Sequence, residues 1–364
     1  LDMADGWSST SQGRGDGLGL YRGREDLEKR WASFASGGGG IRAFTIASVF
    51  HLAMQHGWTG VFRAPTEEKK ASEVNGVAHP FPQFTAPEQN NPLIKLNEKF
   101  CVIGSMGGKA LVMQWVPSTA DPRWTSPAFQ SFNTFREFHS NQYVVNSKEE
   151  KPKPLGDSWL KWPARKTYER LDLVPGGEPV LDGNVLNLWR GFSVTPLIGA
   201  WPLMQRHIKE VLARRNPVAA MYIFHWAAWA IQHPDQRAEV ALVLRGGKGS
   251  GKGTFGNAMC ELFGSHGQHI YSPKHLVGSF NAHLRNCLLL FADEAFWAGD
   301  RQGESTLKGL ITEPTIQIEQ KGIDAVQWKN RLHVIMAANA EWVVPASKGE
   351  RRYAVFDVSD EHAG

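Results

Sequence analysis

The sequence predicts an α/β fold in which a mainly parallel β-sheet is flanked by helices and is preceded by a mixed α+β region. An apolar run over residues 240–244 leads into a glycine-rich loop, and the loop leads into a segment with apolar residues at helical spacing. Two later segments, residues 288–295 and 331–342, each carry an apolar run that predicts a strand and then end in polar side chains. Strands that alternate with helical segments in this way are typical of an α/β domain.

Residues 1–60 are predicted to form a helical region with glycine-rich connections. The charged segment 24–34 has the composition of a short helix. A second helix is expected to follow a run of four glycines, because Thr45 can cap its start and Gly57 can end it.

Residues 61–235 are predicted to form a connector or collar. Residues 76–92 are polar and proline-bearing, which is typical of a linker. Residues 100–115 predict a β-hairpin that turns at Gly107-Gly108, and the GGK at this turn is rejected as a phosphate site because no helical pattern follows it. Residues 218–232 are apolar nearly all round and predict a helix buried beneath the next domain.

Residues 236–364 contain a loop that is predicted to bind a nucleoside triphosphate. Its G-x-x-x-x-G-K pattern runs from Gly246 to Lys252. Glycines allow consecutive backbone N–H groups to turn toward phosphate oxygens, and the helix N-terminus and the lysine ammonium add positive charge. The predicted nucleotide-binding residues are Gly246, Gly247, Lys248, Gly249, Ser250, Gly251, Lys252, Gly253 and Thr254.

One position departs from the common pattern of such loops. Gly253 stands where a Ser or Thr hydroxyl usually meets Mg²⁺, and Thr254 follows one residue later. Thr254 is therefore our candidate for the hydroxyl ligand. The Gly-Lys-Gly-Thr ending also resembles the loop of the adenylate kinase family, so the loop alone predicts a nucleotide and not the reaction.

Three polar residues at strand ends are predicted to complete a site for ATP hydrolysis. Asp293 would hold the hydration shell of Mg²⁺, and Glu294 would orient and deprotonate the attacking water. Asn339, at the end of the next predicted strand, could hydrogen-bond the γ-phosphate or that water.

Two further motifs lie around these strands. Residues 316–320 alternate as a strand does, and Lys321-Gly322 falls where a hairpin would turn. Arg351 and Arg352 stand just before the last apolar strand, and neither has an obvious partner nearby in the sequence.

Composition limits the classes of partner and compartment. A net charge of +4 and a pI near 8.9 mildly favour an anionic partner. The longest apolar runs are shorter than the ~20 residues that span a bilayer, and the polar opening residues do not resemble a signal peptide, so no membrane partner is expected.

The 3 cysteines are far apart, which argues against a zinc site and fits a reducing cytosol. His207, His225 and His233 show no ligand spacing and are interpreted as structural or surface residues.

The order of these motifs resembles that of a superfamily-3 helicase. The shared order is phosphate loop, DEA strand, hairpin with EQKG, strand-end Asn and double-Arg strand. More narrowly, the chain is similar to the primase–helicase proteins of bacteriophages and plasmids, which it also resembles in residues 189–194, 225–237 and 276–286. The resemblance covers roughly residues 90–360. Residues 1–60 resemble the tail of the primase C-terminal domain, which would place any primase or polymerase domain upstream of this chain.

This resemblance implies an AAA+-like, P-loop ATPase core that uses ATP and Mg²⁺ and acts in DNA replication. It implies a homo-oligomeric ring, commonly a hexamer, around single-stranded DNA in the cytoplasm of a bacterial host cell. Lys252, Asp293, Glu294 and Asn339 would carry the roles given above, with Mg²⁺ held by Thr254 and Asp293. Arg351 or Arg352 would be the finger that reaches a neighbouring subunit's nucleotide. Lys321, with Lys308 as a second candidate, would contact DNA from a pore hairpin.

Two other functions remain open at this point. The Gly-Lys-Gly-Thr ending would also suit a nucleotide kinase, although such kinases usually carry the loop near their start, and here about 245 residues precede it. An ATP-gated initiator or loader would bind DNA and use ATP as a switch without processive unwinding. DNA-stimulated turnover with strand displacement separates a helicase from both.

Overall fold

The computed structural model describes residues 91–119, 121–145, 151–197, 199–272, 275, 278, 280–293, 301–338 and 350–361. The helices predicted in residues 1–60, most of the predicted 76–92 linker, Glu294 and Asn339 lie outside the described residues.

Helices and strands alternate along the described chain. The α-helices are α1 (Pro92–Lys99), α2 (Phe132–Phe138), α3 (Leu155–Leu160), α4 (Pro202–Arg206), α5 (Pro217–Gln232), α6 (Lys252–Phe263) and α7 (Arg301–Thr312). Helix α4 continues into a π-helical segment, His207–Leu212, and short 3₁₀ turns occur at Gly264–His266 and Ala282–Asn286. None of the helices in this part of the chain has the length and apolar character that crossing a bilayer requires.

The strands form two larger sheets and three small ones. They are β1 (Phe100–Met106), β2 (Lys109–Pro117), β3 (Thr125–Gln130), β4 (Tyr143–Val144), β5 (Lys153–Pro154), β6 (Thr167–Tyr168), β7 (Arg170–Asp172), β8 (Val180–Leu181), β9 (Val185–Asn187), β10 (Ala241–Arg245), β11 (Gly267–Ile270), β12 (Leu289–Asp293), β13 (Thr315–Gln320), β14 (Ile323–Lys329), β15 (His333–Ala338) and β16 (Tyr353–Asp357).

The first larger sheet has four strands in the order β3-β2-β1-β6. Strands β1 and β2 pair antiparallel with Val102 opposite Val112, and they turn at Gly107 and Gly108, whose φ angles are 54° and 74°. Glycine adopts such angles more readily than other residues because it has no Cβ. The pairing and the turn confirm the predicted hairpin. Helices α1 to α3 cover the outer face of this sheet, where Phe135 and Trp159 are fully buried.

The second larger sheet is entirely parallel and has the strand order β11-β12-β15-β10-β16. Its central strands are buried along nearly their whole length because helices or the hairpin cover both faces, and their polar residues stand at the strand ends. The predicted strands around residues 240–244, 288–293 and 331–338 are thus confirmed as neighbours in one sheet, although β12 and β10 are separated by β15.

Each face of the parallel sheet packs into its own core. One face contacts α7 and the β13–β14 hairpin through the buried residues Val243, Leu290, Val334, Leu307, Leu310 and Ile318. The other face contacts α5 and α6, and this core continues into the first sheet through Leu242, Phe291, Phe255, Met259, Ile223, Ile103 and Met113. Residues on both sides of the predicted 235/236 boundary therefore share one continuous core.

Helix α5 packs into the core that the two larger sheets share, and its apolar composition predicts a buried helix. Asn216 caps its start, because the side-chain oxygen accepts hydrogen bonds from the N–H groups of Val218 and Ala219. The Trp226 indole donates to the carbonyl of Val240 at 2.9 Å, directly before β10. The helix therefore lies beneath the parallel sheet.

Candidate functional site

The glycine loop lies at the carboxyl end of β10 and turns directly into α6. Gly249 and Gly251 have φ angles of 79° and 89°, a backbone conformation that favours glycine. Ser250 is buried and its hydroxyl donates to the carbonyl of Gly247 at 2.9 Å, which holds the turn closed. The first N–H groups of α6 are left at the mouth of this turn, and a helix N-terminus of this kind can bind an anion.

Lys252, the first residue of α6, points into the loop. Its side chain is nearly buried, and its ammonium donates to the carbonyls of Gly246 and Gly247 at 2.9 and 2.6 Å. The ammonium is also 3.3 Å from the Ser250 hydroxyl. A buried cation needs such partners, and the same ammonium could exchange carbonyl oxygens for the oxygens of an anionic ligand.

Asp293 is brought to the loop by the packing of β12 on α6. A Cβ on Gly253 would lie 4.0 Å from Oδ2 of Asp293, so the helix start and the carboxylate adjoin one another. Further along the helix, a Cβ on Gly256 would lie 2.5 Å from the ring of Phe291, so the absence of a side chain at residue 256 lets the helix backbone pack directly on this ring. This close packing brings the start of α6 near the end of β12, where Asp293 stands.

His269 also lies at this site, although no pattern in the sequence selects it. Its Nε2 is 3.7 Å from Oδ2 of Asp293, and its ring stacks on Phe291 with centroids 4.8 Å apart. The contact arises because β11 pairs with β12 in parallel, with His269 in register with Phe291. Only the strand pairing places the imidazole there, and no local pattern encodes that pairing.

Two more residues that the sequence did not indicate contact the loop itself. Asp360 Oδ1 accepts a hydrogen bond from the N–H of Gly247 at 2.9 Å. His207 Nε2 is 3.0 Å from the carbonyl oxygen of Gly251, and burial lowers the pKa of this imidazole. The contact agrees with the structural role expected of His207. The π-helical segment and the residues after β16 therefore both support the loop.

The remaining loop residues are more open to solvent. Lys248 and Gly249 are exposed at the tip, and Thr254 is exposed on the first turn of α6, where its N–H bonds the Gly251 carbonyl at 3.1 Å. The position whose Cβ would face Asp293 is that of Gly253.

The β13–β14 hairpin turns at Lys321 and Gly322, as predicted, and Gly322 has a φ angle of 77°. Lys321 is exposed at the tip. Lys308, in contrast, is half-buried on α7, where its ammonium pairs with Glu304 one turn away and lies 3.9 Å from Glu350. This arrangement gives Lys308 a structural role and leaves Lys321 as the better placed of the two lysines to contact a ligand.

The two arginines precede β16 and therefore lie at the amino edge of the parallel sheet, opposite the loop. Since β16 pairs with β10 residue for residue, about 16 Å separates them from their own loop at ~3.3 Å per residue. Arg351 is exposed, whereas Arg352 Nη1 donates to Glu350 Oε1 at 2.9 Å.

The expectation that neither arginine has a nearby partner is wrong for Arg352. Glu350 lies two residues earlier, and side chains at i and i+2 of an extended segment share one face. The Glu350 side chain is only 5% exposed. Burial alone would raise its pKa, but the hydrogen bonds from Arg352 hold the pKa of this carboxyl below its usual value.

The comparisons with known proteins agree with this architecture. Residues 244–352, which include the loop, Asp293 and the hairpin, match a family of unknown function, DUF5906. Over 178 residues the chain is 28% identical to the DNA primase-polymerase of Nitratiruptor phage NrS-1, which corresponds to 46% of this chain and 24% of that protein. The chain thus spans about a quarter of the length of this curated relative.

Solved structures of the NrS-1 C-terminal region share the fold. One ligand-free structure has a TM-score of 0.55 at 19% identity and covers 75% of this chain and 63% of that one. A second has a TM-score of 0.54, also at 19% identity, with 74% and 62% covered. At this level of identity the match concerns the fold alone.

Proposed function

We propose that this chain is the ATP-hydrolysing motor of a bacteriophage DNA-replication protein and acts as a DNA helicase. The observation that carries the proposal is the position of Asp293 beside the start of α6, at the loop that holds Lys252. The similarity to a phage primase-polymerase supports a role in DNA replication. The motor is expected to work as a ring, commonly a hexamer, on single-stranded DNA.

The order of the parallel strands supports an AAA+-like P-loop core. From β10 the chain moves to the far edge of the sheet, returns through β12 and β15, and crosses β10 to form β16. Ligands of open α/β sheets bind at the carboxyl ends of the strands, near the point where the strand order reverses. The loop after β10 and the carboxylate after β12 lie at that edge.

The donor set fits ATP with Mg²⁺. Among the described residues, no group of three His, Cys, Asp or Glu side chains converges on a metal position. Mg²⁺ needs no such cage, because it is usually held by one or two carboxylates together with phosphate oxygens and water. Asp293 would supply the carboxylate, and Thr254 is the proposed hydroxyl ligand. Bound Mg²⁺ would neutralise developing charge on the phosphates.

The chain's own residues would perform the remaining steps. The Lys252 ammonium, released from its carbonyl partners, would bind the outer phosphates, and the loop N–H groups would hold the others. Glu294 would orient and deprotonate the attacking water, and Asn339 would sense the γ-phosphate. We also propose the division into a primase-like tail (1–60), a connector (61–235) and the ATPase (236–364).

The proposal is tested by measuring ATP hydrolysis with and without single-stranded DNA, together with strand displacement. Lys252→Ala should reduce turnover about 10²–10³-fold, because it removes a charge from the phosphoryl-transfer site. Lys161→Ala, an exposed lysine on the first half of the molecule, is the matched control and should hydrolyse ATP as the parent does.

The other possible outcomes of these measurements would each indicate a different function. Hydrolysis and DNA binding without strand displacement would indicate an initiator or loader. Phosphate transfer to a nucleotide acceptor, independent of DNA, would indicate a kinase. If Lys252→Ala hydrolyses ATP as fast as the parent does, the glycine loop is not part of the active site.

A further inference from the structure

The turn of the β1–β2 hairpin packs against the turn of the β13–β14 hairpin. A Cβ on Gly107 would lie 2.4 Å from the carbonyl oxygen of Asp324 and 2.5 Å from Cγ2 of Ile323. Real Cβ atoms do not approach so closely, and Gly107 also has a φ angle of 54°. Glycine is therefore required at this position both for the turn and for the contact.

A lysine ties the same two turns together. The Lys109 ammonium donates a short hydrogen bond to the carbonyl of Gly322, the residue after Lys321. A cation that binds a turn carbonyl restrains the turn, because the carbonyl can no longer rotate freely. Lys109 and Gly322 are 213 residues apart in the sequence, so the contact joins the two halves of the molecule.

Apolar packing also holds the β13–β14 hairpin against the first sheet. Ile323 and Trp328 of β14 pack against the core that contains Met106 and Met113. A two-stranded hairpin is marginally stable by itself in water, so packing of this kind determines how rigid its tip is. The carboxylate of Asp324 also adjoins the β1–β2 turn, since its Oδ2 lies 3.6 Å from the position of a Cβ on Gly108.

We infer that the β1–β2 turn is the support that positions Lys321 for contact with the DNA backbone, with Gly107 and Lys109 as positioning residues. This inference rests on the proposed function and assigns a role to the connector, since its sheet holds the part of the motor that contacts DNA. A lysine on a supported turn loses less conformational entropy when it binds a phosphate than a lysine on a loose turn does.

The first test compares Gly107→Ala with Gly183→Ala. Gly183 has a φ angle of 74°, and a Cβ added there would meet no atom within 4 Å, so its substitution introduces backbone strain without the contact. Gly107→Ala should weaken binding of a fluorescent single-stranded oligonucleotide about tenfold, the size of one charge-assisted contact. It should also lose DNA stimulation of ATP hydrolysis and keep the basal rate, and Gly183→Ala should match the parent in all three measurements.

A second pair of variants keeps the inference testable if Gly107→Ala does not fold. Lys109→Met retains most of the side-chain volume and removes the ammonium, whereas Lys109→Arg retains a donor for the Gly322 carbonyl. Lys109→Met should lose DNA affinity and DNA stimulation, and Lys109→Arg should restore most of both. Thermal unfolding of each variant checks that the fold is intact.

Lys321→Ala separates failure of the inference from failure of the proposed function. If Lys321→Ala loses DNA binding while Gly107→Ala and Lys109→Met bind as the parent does, the support role of the β1–β2 turn is overturned. The proposal that the β13–β14 hairpin contacts DNA is then retained. If Lys321→Ala itself binds and unwinds DNA like the parent, the hairpin does not contact DNA, and both the inference and that part of the proposed function fall.

Discussion

At the scale of single residues, Gly253 is the position where the site differs most from the usual loop. A side chain there would face Asp293, since its Cβ would lie 4.0 Å from Oδ2 and 3.9 Å from Nδ2 of Asn257. These are ordinary contact distances, so the site has room for a hydroxyl that the sequence does not provide.

Gly253→Ser is therefore expected to fold and to bind Mg²⁺-nucleotide at lower Mg²⁺ concentration. The new hydroxyl would lie beside Asp293, where the ion is proposed to bind. Gly253→Ala is the matched control, because it adds the same Cβ without the oxygen. Titration of Mg²⁺ against a fluorescent ATP analogue measures the effect. Identical Mg²⁺ dependence of the two variants would place the ion away from residue 253.

Residues differ in how far the sequence could reveal them. Lys252 and Asp293 follow from local patterns, because a glycine loop and a strand end restrict which side chains can stand there. His269 and Asp360 could not be found in this way, since strand pairing and the return of the chain after β16 bring them to the loop. Glu350 could have been found, because it lies two residues before the arginine that it binds.

At the scale of elements, the two arginines precede β16 and therefore lie at the sheet edge opposite their own loop. They differ from each other in their contacts. Arg352 is occupied by Glu350, whereas Arg351 is exposed at the amino edge of the sheet. In the ring proposed above, this edge would have to face the nucleotide of an adjacent subunit for either arginine to act there. Arg351 is therefore the better candidate for a finger in trans.

We expect Arg351→Ala to bind nucleotide but to hydrolyse it about 10³-fold more slowly, the lower range for loss of an arginine finger. Arg352→Ala should mainly lower the melting temperature, because it removes the guanidinium that pairs with the nearly buried Glu350 carboxylate. Mixing Arg351→Ala with Lys252→Ala should restore part of the activity, since some interfaces then combine an intact loop with an intact finger. Mixtures no more active than the separate variants would show that Arg351 does not act in trans.

The elements themselves are the part of the fold that the sequence predicts best. Apolar runs identify β10, β12 and β15, and the two glycine turns identify both hairpins. The contact between those hairpins is not visible in the sequence, because it depends on the space around Gly107 and on residues more than two hundred positions away. The sequence likewise does not reveal which helices cover each face of the parallel sheet, because tertiary packing decides this and local composition does not.

At the scale of the whole molecule, two fully buried histidines make stability depend on pH. His266 Nε2 accepts from the N–H of Arg190 at 2.9 Å and its Nδ1 lies 2.9 Å from the Asn286 carbonyl, so the neutral ring satisfies both partners. Burial lowers the pKa of His266 to about 4, and it lowers the pKa of His333 to about 4 as well. Both rings therefore stay neutral in the folded protein near neutral pH.

Stability should be fully present above pH ~6.5 and should fall as the pH drops from there toward 4. In that window the unfolded chain, with ordinary histidine pKa values, binds protons that the folded protein does not. Each ring can contribute up to about 1.4 kcal/mol per pH unit to the loss. Denaturant unfolding at several pH values measures the slope, and His266→Asn should make it shallower. An unchanged slope in that variant would assign the acid sensitivity to other groups.

The close contact between Gly256 and the Phe291 ring has a consequence for the geometry of the site. The backbone of α6 lies directly against the Phe291 ring of β12, so any side chain added at residue 256 would push the helix away from the strand and move Lys252 relative to Asp293. The spacing of the two groups that we propose to bind the nucleotide and Mg²⁺ therefore depends on a glycine that would itself contact neither of them.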